Sequence, residues 1–176
     1  LEKIKPRFLF FIEPGTKQFF EIALKIRNEM AKRGGSVLYP CPSLIDGCPL
    51  EKKDDWCHQI LRTTHDHSIE RLSQLIKKDR RVMPFISHLY LLDGASNKPS
   101  ARLIRFIKET KFAFIWEVCL EEDGKILTKR FEVLTKNLSK VTYKELKKTS
   151  IGINVDFKLV KKISPDIWRV ELQTFL

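Results

Sequence analysis

Glycine is scarce in this chain, and that removes whole classes of function. Seven glycines stand among 176 residues: Gly15, Gly34, Gly35, Gly47, Gly94, Gly124 and Gly152. No G-x-G-x-x-G loop and no P-loop can be assembled from them. H-E-x-x-H and G-x-S-x-G are both absent, so neither a helical zinc-protease pair nor a nucleophile elbow is available. The carboxylate pairs Asp54-Asp55 and Glu121-Glu122 read as caps or turns rather than acid/base dyads. No apolar run approaches the ~20 residues of a membrane span; the longest, Phe8 to Ile12, has the length of a strand. The first residues are not expected to act as a secretory signal. It begins at Leu1 and not at Met, as a fragment, a processed product or the ordered part of a longer protein would. There is no internal repeat and no low-complexity tract.

What the chain does have is positive charge. Thirty-three basic against 22 acidic residues give +11, with 43% hydrophobic residues, enough for a globular core. The excess points to an anionic partner: RNA first, then DNA, then an anionic membrane surface. Solvated lysines are the plain alternative.

The front of the chain reads as α/β. Arg7 to Ile12 is expected as a parallel strand buried on both faces, because its apolar run is unbroken. Thr16 caps a helix that Gly34-Gly35 stops, and Ser36 to Tyr39 starts a second strand, a βαβ pattern. A second helix is expected from Asp66 or Ser68 to about Lys78, with Ile69, Leu72, Leu75 and Ile76 inward. Phe85 to Leu92 follows as a strand. Asp93 to Ser100 reads as a linker. The remainder is β-rich: Ala101–Ile107, Phe112–Leu120, a turn at Asp123-Gly124, then Ile126–Leu134. Thr142 to Glu145 reads as a capping box opening a short helix. Alternating strands follow at Val155–Leu159 and Trp168–Leu172, with a turn at Ser164-Pro165-Asp166.

Four cysteines carry the chemistry. Cys41, Cys48 and Cys57 lie in one loop, residues 40–58; Cys119 lies far downstream. The spacing C-x6-C-x8-C lacks the C-x2-C pairs of a zinc ribbon. Cys-Pro occurs twice, at Cys41-Pro42 and Cys48-Pro49, a pairing that accompanies some iron–sulfur ligands. In its strand, Cys119 shares the less apolar face with Ala113, Ile115 and Glu117, away from Phe112, Phe114, Trp116, Val118 and Leu120. Spacing alone leaves three readings open: a metal or cluster site, ordinary cysteines, or disulfides. His58, beside Cys57, is a neighbour that could replace one ligand; His65, His67 and His88 show no ligand pattern.

The segment Tyr39-Pro40-Cys41-Pro42 … Cys48-Pro49-Leu50 … Asp55-Trp56-Cys57-His58 is similar to the methyltransferase-like family associated with the small ribosomal subunit in bacteria and mitochondria. Phe10 to Thr16 resembles the late strand of a class I methyltransferase-like fold, Glu117-Val118-Cys119 … Asp123-Gly124-Lys125 a later strand of the family, and Tyr143 to Lys148 its basic helix. The resemblance spans roughly residues 7–150. It implies an α/β fold, a partial Rossmann-like methyltransferase sheet (βαβ, cysteine loop, further helix and strand) followed by a β-rich C-terminal part. Residues 1–95 would be the C-terminal half of the methyltransferase-like domain, and 96–176 a β-rich basic region. It further implies a [4Fe–4S] cluster on Cys41, Cys48, Cys57 and Cys119, with Zn²⁺ as the alternative. The implied partner is rRNA of the small subunit, without a membrane, in the bacterial cytoplasm or the mitochondrial matrix. RNA-contacting residues would be Lys77, Lys78, Arg80, Arg81, Lys129, Arg130, Lys144, Lys147 and Lys148.

The family's glycine-rich cofactor loop has no counterpart here. S-adenosylmethionine is therefore expected only if a methyltransferase half, in this chain or another, completes the site. Two function classes follow: a cluster-bearing rRNA-binding module in small-subunit assembly or translation, or part of an active S-adenosylmethionine-dependent rRNA methyltransferase. A third reading makes the cluster a redox sensor that controls RNA binding.

Overall fold

The computed structural model describes residues 6–45, 47–78, 81–93, 101–148 and 151–175. The first strand, β1 (Phe8–Pro14), leads into helix α1 (Lys17–Lys32). The side chain of Thr16 accepts a hydrogen bond from the Phe19 amide, the expected N-cap. Apolar residues at helical spacing put Phe20, Ala23, Leu24 and Met30 on one buried face, with Arg27 among them. Strands β2 (Ser36–Tyr39) and β3 (Gln59–Arg62), helix α2 (His67–Leu75) and strand β4 (Val82–Leu91) complete the front part.

The strand order is β1-β4-β2, with β3 also on β4, and every pairing is antiparallel. β1 and β2 therefore run the same way, as a βαβ unit requires, but β4 is inserted between them. This corrects the expectation of a buried parallel β1. Its residues alternate, and Phe8, Phe10 and Ile12 are 50%, 61% and 55% exposed. Leu9 and Phe11 turn to the side where α1 packs. An unbroken apolar run does not distinguish two covered faces from one covered face and one open apolar face.

Helix α2 is a second correction. Ile69, Leu72, Leu75 and Ile76 form an apolar stripe, yet all four are exposed and the helix buries nothing among the described residues. Asp66 is its N-cap, and it ends at Leu75, where Lys77 takes a left-handed φ of 52°. The proposed linker lies outside the described residues from Gly94 to Ser100.

The rest is a closed barrel of five strands: β5 (Ala101–Glu109), β6 (Ala113–Glu122), β7 (Lys125–Leu134), β8 (Asn154–Lys162) and β9 (Ile167–Phe175). The order is β5-β6-β7-β9-β8, with β8 returning to β5 through Val155 and Ala101. Three sequential strands with a fourth returning beside the first make a Greek key. The hairpin at Asp123-Gly124 has φ of 51° and 71°, as a tight turn between twisted strands needs. Helix α3 (Lys140–Lys148) links β7 to β8. Its cap is Ser139, whose hydroxyl accepts from the Thr142 amide at 3.0 Å. The capping residue is thus three positions earlier than expected. The barrel core is Leu103, Phe114, Trp116, Val118, Leu120, Phe131, Val133, Leu146, Val155, Trp168 and Val170.

Candidate metal centre

β2 and β3 lie on one edge of β4, β2 against Leu89–Leu91 and β3 against Val82–Phe85. Between Tyr39 and Gln59 the chain leaves that edge, and the excursion is the cysteine loop. A short 3-10 turn at Glu51–Lys53 folds it. Leu50, 1% exposed, anchors it in the core with Phe20, Leu24 and Ile86. The Arg27 guanidinium donates to the Ser43 carbonyl at 3.2 Å. At the exit, the Gln59 amide brackets Ser87, donating to its carbonyl at 3.2 Å and accepting from its N–H at 3.1 Å. Cys41, Cys48 and Cys57 therefore ride on a loop fastened at both ends and in the middle.

Cys119 comes from β6 in the barrel. Its neighbours Val118 and Leu120 turn into the barrel core, and Cys119 turns out, opposite Thr128 on β7 and Arg102 on β5. The alternation read from sequence holds. The outward face is nonetheless covered: Cys119 is buried in a second core with Phe20, Ala23, Leu24, Leu50, Ile86, Ile104 and Ile126. Cys48 and Cys57 pack against this cluster, and Cys41 against its neighbour formed by Met30, Val37 and Tyr90.

Burial pushes the Cys119 thiol well above the usual range, and Cys41, Cys48 and Cys57 each push it further. Cys48 is raised to about 11, by burial first and by Cys41 next. Burial also raises Cys57, against the pull of the Arg102 guanidinium. The four sulfurs thus share one electrostatic neighbourhood, in which burial favours the neutral thiols of Cys48, Cys57 and Cys119. Among the described residues, no group of three His, Cys, Asp or Glu is gathered tightly enough to hold a metal ion. His58 is half-buried with its Nδ1 unpartnered, and burial lowers its pKa.

Two arginines to which the sequence reading gave no role at the site flank the thiols. Arg27 and Arg102 are each 2% exposed. Arg102 interrupts the buried run Ala101–Ile104, and a charged residue in such a run is the signal that could have exposed it. A third unforeseen residue is Gly152, with φ of 87°. A Cβ there would lie 2.8 Å from the His58 carbonyl oxygen and 2.9 Å from the Gln59 Cα. Tyr39 donates its hydroxyl to the Gly152 carbonyl at 3.0 Å. Lys53 reaches Glu117 at 3.2 Å and Thr128 at 2.7 Å, and Arg105 pairs with Asp55. The loop is thereby fixed onto the outer face of β6 and β7.

The basic residues singled out by sequence do not form one patch. Lys77, Lys78 and Arg81 are exposed around the α2–β4 connection. Arg80 lies outside the described residues. Lys129 is enclosed, 3.2 Å from Glu122, donating to the Pro165 carbonyl at 2.8 Å and lying over the Trp168 ring. Arg130 is exposed on β7 and Lys144 on α3. Lys147 pairs with Glu109 at 3.2 Å and lies over Tyr143. The side chain of Lys148 is outside the description. Strongly exposed cations that the sequence reading left out stand on β8, at Lys158 and Lys161.

No helix among the described residues is long and apolar enough to cross a membrane. No curated protein and no solved structure matches the chain. A family model does, over residues 2–154, which takes in the front sheet, the cysteine loop and the barrel as far as the start of β8. The chain belongs to the mitochondrial small ribosomal subunit Rsm22 family, a methyltransferase-like family.

Proposed function

We propose that this chain is a metal-stapled, basic module that serves the small ribosomal subunit through rRNA, in the mitochondrial matrix or in the cytoplasm of a bacterium. Its centre would be a [4Fe–4S] cluster held by Cys41, Cys48, Cys57 and Cys119. The observation that carries this reading is the packing of Cys119 in one core with Cys48 and Cys57, with Cys41 on the adjoining cluster and near enough to act on the Cys119 thiol. One further line supports the fit: the thiols lie against two buried guanidinium groups, an environment suited to thiolates. When bound, such a cluster supplies a rigid cross-link and a one-electron couple. The chain's own part is to bury the ligands, exclude water and fix the loop against the barrel, closing a long loop that is otherwise entropically costly.

The RNA reading is supported by the charge of +11 and by the barrel, since five-stranded Greek-key barrels bind oligonucleotides on their second and third strands and adjoining loops. Here the face of those strands holds Glu117, Cys119 and Thr128 and is taken by the cysteine loop. RNA contact then falls to the rim. Phe112, 69% exposed beside Lys111, and the β8 cations Lys158 and Lys161 offer a stacking surface and phosphate contacts. The deciding experiment is an absorption spectrum of anaerobically purified protein with iron, zinc and sulfide assays. A broad band near ~400 nm with about four irons per chain supports the cluster; stoichiometric zinc without sulfide replaces it with the ion.

One observation favours a second reading, in which a methyltransferase half completes an S-adenosylmethionine site. β1 pairs only with β4 among the described residues, and its outer side carries exposed Phe8, Phe10 and Ile12. A methyltransferase half packed on that open face would cover them. Calorimetry with S-adenosylmethionine on the protein as it is made in the cell separates the readings: binding supports the enzyme, and no binding leaves the module.

A further inference from the structure

Arg102 is a permanent cation in a place where nothing neutral explains it. A guanidinium keeps its proton at any pH a protein meets. Arg102 sits on β5 directly opposite Cys119 on β6, with Asn154 of β8 on its other side. It is 2% exposed, and its Nε and Nη1 have no hydrogen-bond partner among the described residues. A hydrogen bond joins it to Cys57, and its guanidinium carbon lies 5.8 Å from the centre of the Tyr39 ring. Burial works against its charge, and the groups that could offset burial, Cys57, Cys41, Tyr39 and Cys119, do so only as anions and include no carboxylate. Two acids of the loop and of β6 are engaged by other cations: Asp55 by Arg105, and Glu117 by Lys53. A buried ion whose counter-charge is missing is strongly unfavourable. A neutral thiol does not supply that charge, and four thiolates around a dipositive core do, because they leave the centre with two net negative charges.

We infer that Arg102 is the fixed counter-charge of the four-cysteine centre, a positioning residue that makes the site one for a net-negative tetrathiolate centre. The inference rests on the reading of Cys41, Cys48, Cys57 and Cys119 as ligands. Arg27, the other buried guanidinium, already donates to Ser43 and does not share the role equally. The consequence is a reversal of sign. In the metal-free protein Arg102 is a liability; in the loaded protein it holds the centre in place and favours its uptake of an electron. An arginine that served packing alone would stabilise both forms.

The test compares the full chain with Arg102→Met and Arg102→Lys, each stripped by chelator and each reconstituted anaerobically with iron and sulfide. For stripped protein, Arg102→Met should melt at the same or a higher temperature than wild type. For loaded protein, Arg102→Met should release iron to a chelator at least tenfold faster, with Arg102→Lys close to wild type. The oxidised-to-reduced ratio of the centre at fixed potential should rise about tenfold in Arg102→Met, a shift of ~59 mV for one electron. Equal loss of melting temperature in both forms, or an Arg102→Met protein that does not fold when stripped, makes the residue structural and overturns the inference. So does unchanged iron release together with an unchanged potential. Wild-type protein that takes up neither iron with sulfide nor zinc fails differently, because it removes the ligand reading beneath.

Discussion

Tyr39, the last residue before the cysteine loop, donates its hydroxyl to the carbonyl of Gly152, the residue that leads from α3 into β8. The contact spans 113 positions of sequence and ties the entrance of the loop to the barrel. On the other side of the loop, the same glycine lies against the backbone of His58 and Gln59, at the exit. Its amide donates to Leu103 at 2.7 Å, next to Arg102. One residue without a side chain thus sets how closely the barrel approaches the thiols.

Gly152→Ala is expected to be costly for two reasons that add. A left-handed φ strains any residue with a Cβ, and the new carbon would collide with backbone, which cannot swing aside. The expected loss is roughly 1–3 kcal/mol, read from urea denaturation. Iron content after anaerobic purification should fall with it. A variant of native stability and full metal content would show that the loop and the barrel do not depend on this approach.

Replacing Cys57 or Cys119 by serine should give colourless protein of reduced stability, because one ligand from each part of the chain is needed to cross-link the two. Cys119→Ser is the sharper test, since Cys119 is buried in a cluster of apolar side chains. Brown protein with an unaltered melting curve would refute the shared centre.

His88 makes stability fall in acid. It is buried beside Tyr90, and burial, with Arg102 and Arg27 next, pushes its pKa down to about 3. The unfolded chain binds that proton near pH 6.5, so between these values the unfolded state holds more protons than the folded one. The neutral-histidine contribution is therefore complete above about pH 6.5, and it is lost at up to about 1.4 kcal/mol per pH unit as pH falls toward 3. Denaturation of wild type and His88→Gln from pH 4 to 7 should show a flatter slope in the variant. Parallel slopes would mean that other groups carry the acid sensitivity.

RNA affinity should fall linearly on a log–log salt plot, with a slope of about −0.7 for each phosphate neutralised on a single strand. Lys158→Ala with Lys161→Ala should make that slope shallower by roughly one to one and a half. Phe112→Ala should weaken binding by about 1–3 kcal/mol without changing the slope, because stacking releases no counterions. A flat salt response in the wild type would remove the docking model.

The local elements were readable because local rules govern them. Thr16 and the Gly34-Gly35 stop bound α1, and Asp123-Gly124 turns β6 into β7, since capping and turn geometry involve residues a few positions apart. Alternation along β6 placed Cys119 on the face opposite Trp116 and Val118. The stripe on α2 misled, because periodicity shows that a helix has an apolar side and says nothing of what covers it. β3 was invisible: Gln59–Arg62 has four residues and no strong pattern, and only its partner Val82–Phe85 makes it a strand.

By itself the sequence settled the charge, the four-cysteine inventory, the absence of a glycine-rich nucleotide loop and the resemblance carried by the Cys-Pro block. Tertiary structure alone decided that β4 would split β1 from β2, that five strands would close, that the outward face of β6 would become a second interior, and that Arg102 would be enclosed with the thiols. The physical reason is range. Caps, turns and alternation are written within a few residues, whereas burial and electrostatic company are set by segments far apart in the sequence, brought together by the closing of the barrel against the sheet.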